Sequence, residues 1–135
     1  MTPQQQRIAI AEACGAKWAR LADNENAPKC WQLGFNYKDK KAGSYSLSER
    51  TPWQVDYIVA DKPDDSFPIT IGADVSDYLS DLNAMHEAEK VLTDEQDREY
   101  RGKLVEVCGS LADALCATAA QRAEAFLRTL NLWTD

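Results

Sequence analysis

The pattern Thr-x-x-Gln occurs three times where an apolar periodicity begins, at Thr2–Gln5, Thr93–Gln96 and Thr118–Gln121. In a capping box the threonine hydroxyl accepts from the backbone N–H three residues on, and the glutamine reaches back to the threonine N–H. Backbone donors that a helix start leaves unpaired are thereby satisfied, so three helix starts are fixed before any other feature is read. Pro3 strengthens the first, because its missing N–H costs nothing at the opening helical position. Gly15, Gly109 and Asn131 are the matching left-handed stops. Tyr100, Leu104, Val107 and Cys108 form the apolar stripe of one helix, and Ala123, Phe126, Leu127 and Leu130 that of the last. A further helical pattern runs from about Tyr78 to Leu92, with Tyr78, Leu82, Met85, Glu89 and Leu92 on one face. Glu89 is a carboxylate inside that stripe. It is expected at the stripe's edge, the alternative being a pairing with a buried arginine or hydroxyl.

Residues 16–60 have a different period. Lys17-Trp18-Ala19-Arg20, Cys30-Trp31-Gln32-Leu33 and Trp53 through Val59 alternate large apolar with polar side chains, the signature of half-buried strands. Asn36 to Pro52, polar and holding Gly43 and several hydroxyl residues, reads as a long mobile loop, and residues 61–68 as a second loop. Ile69-Thr70-Ile71 is a short strand or an extended approach to the next helix. Ser110 to Ala117 reads equally as a strand or a helical turn. The implied class is α+β, a small antiparallel sheet packed with helices; a sheet sandwiched between helices on both faces fits equally well.

The length of 135 residues suits one domain spanning 1–135. No apolar run approaches the roughly 18 to 20 residues of a membrane span, and the start lacks a signal-peptide pattern. A cytoplasmic chain is therefore expected. Cys14, Cys30, Cys108 and Cys116 contain no C-x-x-C spacing, so they are expected as reduced thiols filling core positions, without a metal. The formal net charge of −7 argues against direct nucleic-acid binding, which needs a cationic surface.

Chemistry-bearing motifs are sparse. There is no phosphate-binding glycine loop and no nucleophile elbow, and the single histidine leaves little for a catalytic triad. His86 shares a helix face with Asn83, Glu87 and Lys90; that face is a solvated one carrying charge pairs or a ligand contact. Four tryptophans are many for this length, and three of them fall in the strand-rich half. Sheet-building accounts for them simply, yet an indole or phenol ring on a sheet rim is also a platform for a purine. The adjoining stretch carries Lys38, Lys40, Lys41 and Arg50, cations of the kind a phosphate requires. The candidate ligand-binding residues are therefore Trp31, Tyr37, Lys41, Arg50, Trp53, Asn83 and His86. No catalytic residue, metal ligand or cofactor is expected.

The segment DYLSDLNAMHEAEKVL (Asp77–Leu92) and the tail ATAAQRAEAFLRTLNLW (Ala117–Trp133) resemble blocks found in proteins of tailed phages and prophages, where glycine is usual at the position of Asn131. Ile10 to Gly15 and the aromatic strand after it complete the layout, so the chain resembles the phage ABA-sandwich group over about a third of its length. The stretch from Asn24 to Asp74 has no counterpart there. The resemblance implies a phage or prophage origin and a helix–sheet–helix sandwich, and with that origin the cytoplasm expected above is the bacterial host's. It implies no reaction. Combined with the aromatic and cationic middle region, it leads to the expectation of a non-catalytic counter-defence protein. Such a protein would sequester a nucleotide-derived immune signal of the cyclic ADP-ribose or cyclic oligonucleotide type, as a homo-oligomer. The alternatives are an acidic, anti-CRISPR-like inhibitor of a defence complex and, third, an enzyme that cleaves the signal through His86 with Glu87 or Glu89.

Overall fold

The computed structural model describes residues 1–21, 30–45 and 57–135. The chain is of the α+β class, with five helices and one five-stranded sheet among the described residues. It divides into two compact units: a helical one formed by Met1–Cys14 with Ser76–Asp135, and a strand-rich one formed by Gly15–Val75.

The helical unit holds α1 (Pro3–Ala13), α2 (Leu82–Glu89), α3 (Asp94–Cys108), α4 (Leu111–Leu115) and α5 (Ala119–Thr129). All three capping boxes form as expected, at Thr2, Thr93 and Thr118. The left-handed positions are occupied by Gly15, Gly109 and Asn131, Asn131 being the one residue here that bears a side chain. α2 begins at Leu82 rather than near Tyr78, because the Asp81 carboxylate accepts from the N–H groups of Asn83 and Ala84 and so sets the cap there. The ambiguous stretch after Gly109 is helical, opened by Ser110 accepting from Asp113 N–H. α5 is the axis of this unit, with α1, α2 and α3 packed against it and α4 against α3. Ala123, Ala125, Phe126 and Leu127 of α5 are fully buried, as are Ile10 and Met85. The four large apolar groups among them, Phe126, Leu127, Ile10 and Met85, are each stabilised by about 1.5 to 3 kcal/mol of transfer free energy.

The strand unit orders its strands β3 (Gly43–Tyr45), β4 (Tyr57–Ala60), β1 (Lys17–Leu21), β2 (Trp31–Gly34) and β5 (Ile69–Ile71). Two features differ from expectation. A strand, β3, forms inside the stretch read as loop, because Gly43, Ser44 and Tyr45 find partners in Val59, Ile58 and Tyr57. The sheet is mixed rather than wholly antiparallel: β5 runs parallel to β2. Residues 61–68 carry the chain from β4 past β1 and β2 to the far edge, and Trp31 N–H to the Pro68 carbonyl (2.8 Å) with Gly72 N–H to the Leu33 carbonyl (2.8 Å) tie both ends of β5 there. Among the strand unit's described residues Trp18, Leu33, Val59 and Val75 are fully buried.

The four cysteines are unpaired thiols. Cys14, Cys30 and Cys108 are half-buried, whereas Cys116 is exposed rather than in the core. Among the described residues no helix is long and apolar enough to cross a membrane.

Candidate functional site

Antiparallel pairing sets Tyr45 directly opposite Tyr57, which puts both rings on one face of the sheet. They stack with centroids 5.4 Å apart and planes inclined by 17°. Tyr37 also packs on Tyr57, at 5.8 Å and 47°, so three half-buried phenols form a continuous run. The turn that delivers Tyr37 is held by Asp74, whose Oδ2 accepts from the N–H groups of Phe35 (2.8 Å) and Asn36 (3.3 Å). Gly72 makes room for that carboxylate: a Cβ there would stand 2.6 Å from the Leu33 carbonyl oxygen and 2.9 Å from Asp74 Oδ1. Burial, then the charge of Asp74, then Tyr57, push the Tyr37 phenol above its ordinary pKa. The Tyr45 hydroxyl donates to the Lys41 carbonyl (2.6 Å), and the Lys40 ammonium lies 5.2 Å from the centre of the Tyr45 ring. Lys38, Lys40 and Lys41 are all exposed on this turn. An aromatic run with a cation over one end is thus anchored by hydrogen bonds to the segment that carries the lysines.

Of the residues singled out in the sequence, Tyr37 and Lys41 fall in this array. Trp31 does not: it is 3% exposed, and its indole N–H donates to Asp64 (3.2 Å), so it is a sheet-building residue and no open platform. That bond, and the one from Ser66 N–H, hold the Asp64 carboxyl below the usual carboxylate range. The Arg20 guanidinium lies between the rings of Trp31 (5.4 Å) and Phe67 (5.1 Å). Arg50 and Trp53 lie outside the described residues. Asn83 and His86 belong to the helical unit: Asn83 is exposed in the first turn of α2, and the half-exposed His86 has its Nδ1 3.4 Å from Glu89 Oε2. Tyr45 and Tyr57 were missed. Only the β3–β4 register unites them, and no local sequence signal announces that pairing.

Comparison with protein-family models, curated proteins and solved structures returned no match.

The helical unit contributes two polar constellations. Glu89 does not reach the edge of its stripe; its Oε1 accepts from the Tyr100 hydroxyl (2.6 Å) and from Arg122 Nη1 (3.2 Å), joining α2, α3 and α5. Glu89 and Arg122 side chains are each only 16% exposed. Burial first, then the Glu89 hydrogen bond and charge, raise the Tyr100 phenol well above its ordinary value. Burial works to lower the Arg122 pKa, but Tyr100 and Glu89 outweigh it and the net direction is upward. Every strong proton acceptor here is committed to a structural donor, which makes the group a lock between helices. The second is a cleft of about 470 Å³ lined by α3, α5 and the segment that follows α5. Among the described residues no group of three or more His, Cys, Asp or Glu side chains is arranged to hold a metal ion.

Proposed function

We propose that this chain is a phage-encoded counter-defence protein that binds a nucleotide-derived immune signal and holds it without turnover. The observation that carries the reading is the run of Tyr37, Tyr57 and Tyr45 with Lys40 against its outer ring. A purine takes the place of the lysine over Tyr45, and the long Lys40 side chain swings out to meet a phosphate, with Lys38 and Lys41 exposed beside it. Stacking of this kind is worth about 1 to 3 kcal/mol per base. β3, which carries Tyr45, is an edge strand, and a homo-oligomer lets a second copy close over a ligand that one open sheet face leaves half in water. Phage origin and action in the host cytoplasm rest on the resemblance of the Asp77–Leu92 and Ala117–Trp133 blocks.

The test is capture. The protein is incubated with filtrate of cells whose nucleotide-signalling defence is active, washed and heat-denatured, and released molecules are identified by mass spectrometry. An intact signalling nucleotide is expected in stoichiometric amount, much reduced in Tyr45→Ala and Lys40→Ala. Loss of the signal without recovery would replace binding by cleavage, and an undiminished signal would end the proposal.

A second reading, inhibition of a basic defence complex by an acidic surface, is favoured by the net charge of −7 and by the acidic first turn of α3 (Asp94, Glu95, Asp97). It predicts co-precipitation with such a complex that weakens with salt.

A further inference from the structure

The cleft of the helical unit has a composition suited to a different ligand. Its walls include Glu99, Lys103, Glu106 and Val107 of α3, Glu124 and Arg128 of α5, and Trp133 and Asp135 beyond it. Asn131 shapes it. Its left-handed backbone (φ 58°) turns the chain after α5, Leu132 N–H bonds back to the Leu127 carbonyl (2.8 Å), and Trp133 is returned against Arg128, whose guanidinium carbon lies 4.9 Å from the ring centre. The volume of about 470 Å³ falls within the usual range of small-molecule sites, about 300 to 1,000 Å³.

Both cations in the cleft are neutralised locally: Lys103 by Glu106 at 3.5 Å and Arg128 by Glu124 at 2.7 Å. Two carboxylates are left over. Glu99 enters no ion pair among the described residues, and Asp135 accepts the neutral indole N–H of Trp133 at 3.2 Å. A concave wall with uncompensated negative charge concentrates cations, and an indole adds attraction for the same charge. That a guanidinium fits the ring is seen in Arg128 itself. An anion would meet Glu99 and Asp135 with no free positive partner.

We propose that this cleft is a second ligand site, for a small organic cation bearing an amine or guanidine group, with Glu99 and Asp135 as counter-charges and Trp133 as the aromatic wall. It is independent of the tyrosine run, which belongs to the strand unit.

The experiment is a two-dimensional amide NMR titration of the full chain with agmatine, with glutarate as the anionic control and sodium chloride at matched ionic strength. Agmatine produces saturable shifts of the Trp133 indole N–H and of amides in residues 99–107, while glutarate and salt do not. Glu99→Gln, an exposed change on α3 that leaves the helical circular dichroism unaltered, weakens agmatine about tenfold, the loss of one charge-assisted contact. Absence of saturable shifts at these positions overturns the proposal. So does equal affinity in Glu99→Gln, or reproduction of the shifts by salt or glutarate.

Discussion

Glu89 offers the sharpest test of how the helical unit is held together. Replacing it with alanine removes the acceptor of the Tyr100 hydroxyl and the counter-charge of Arg122, whose Nε is already buried without a hydrogen-bond partner. A neutral hydrogen bond contributes about 1 kcal/mol net, and one to a charged group about 1.5 to 3. Both partners are mostly shielded, at 16% exposure for Glu89 and Arg122 alike, so solvent does little to replace what is lost. The expected cost is roughly 2.5 to 4 kcal/mol, in line with breaking other buried pairs. Glu89→Gln keeps an acceptor for Tyr100 and should cost about half as much. The double variant Glu89→Met/Arg122→Met removes both charges and should recover most of the loss. Urea unfolding followed by the helical circular dichroism reports on the unit concerned, since α1 to α5 carry that signal. A Glu89→Ala cost of less than about 0.5 kcal/mol, the scale of an ordinary surface change, would refute the view of this carboxylate as a lock. The phenol adds a pH signature. Tyr100 ionises in the unfolded chain near pH ~10 but only higher in the fold, so its contribution is complete below that pH and is lost as pH rises further.

Asp64, whose folded pKa is lowered, behaves in the opposite sense: it favours the fold above the unfolded carboxylate value and ceases to as pH falls through the folded one. The Trp31 indole N–H resonance should titrate with a midpoint below about 3.9; a midpoint at or above it contradicts the hydrogen bond. Burial pushes the Cys14 thiol up to about 11, so at neutral pH a maleimide should label exposed Cys116 well before Cys14, as peptide mapping will show; equal rates would contradict that burial. Gly72→Ala drives a Cβ against the Leu33 carbonyl and Asp74 and should cost about 1 to 3 kcal/mol in an unfolding titration read by the Trp31 indole N–H resonance, whereas an unchanged midpoint would show that the β5 turn has slack.

The helices were legible because their punctuation is local. Thr2, Thr93 and Thr118 each meet a glutamine three residues on, and Gly109 and Asn131 stop the chain within a turn of where the stripe ends. β1 and β2 were legible through alternation around Trp18 and Trp31. β3 was not, since three residues show no period and Gly43 favours a loop reading; its identity comes from β4. The direction of β5 was hidden for a related reason: a strand's own residues do not say which edge it joins. The lysines beside the aromatic run and one of its rings, Tyr37, are legible from the sequence, whereas Tyr45 and Tyr57 are not. Trp31 has the ring a purine platform needs, but its bulk is buried in the sheet, while the smaller Tyr45 and Tyr57 are left half-open. Glu89 was placed at an edge because its two partners come from helices 11 and 33 residues further on.

The helical unit is assembled from both sides of an insertion: α1 precedes residues 15–75 and α2 to α5 follow them. During synthesis α1 emerges long before α5, the helix it packs against, is made. Until then it lacks that helix to pack against, and an isolated helix of 11 residues is marginal in water. The strand unit has no such wait, because its sequence is continuous. At equilibrium the separation matters little, as each doubling of a loop adds only about 0.6 kcal/mol of closure entropy. In time it matters more: ribosome-bound chains that end before α5 should leave α1 open to proteolysis while β1, β2, β4 and β5 are already protected, and α1 should close only when α5 arrives.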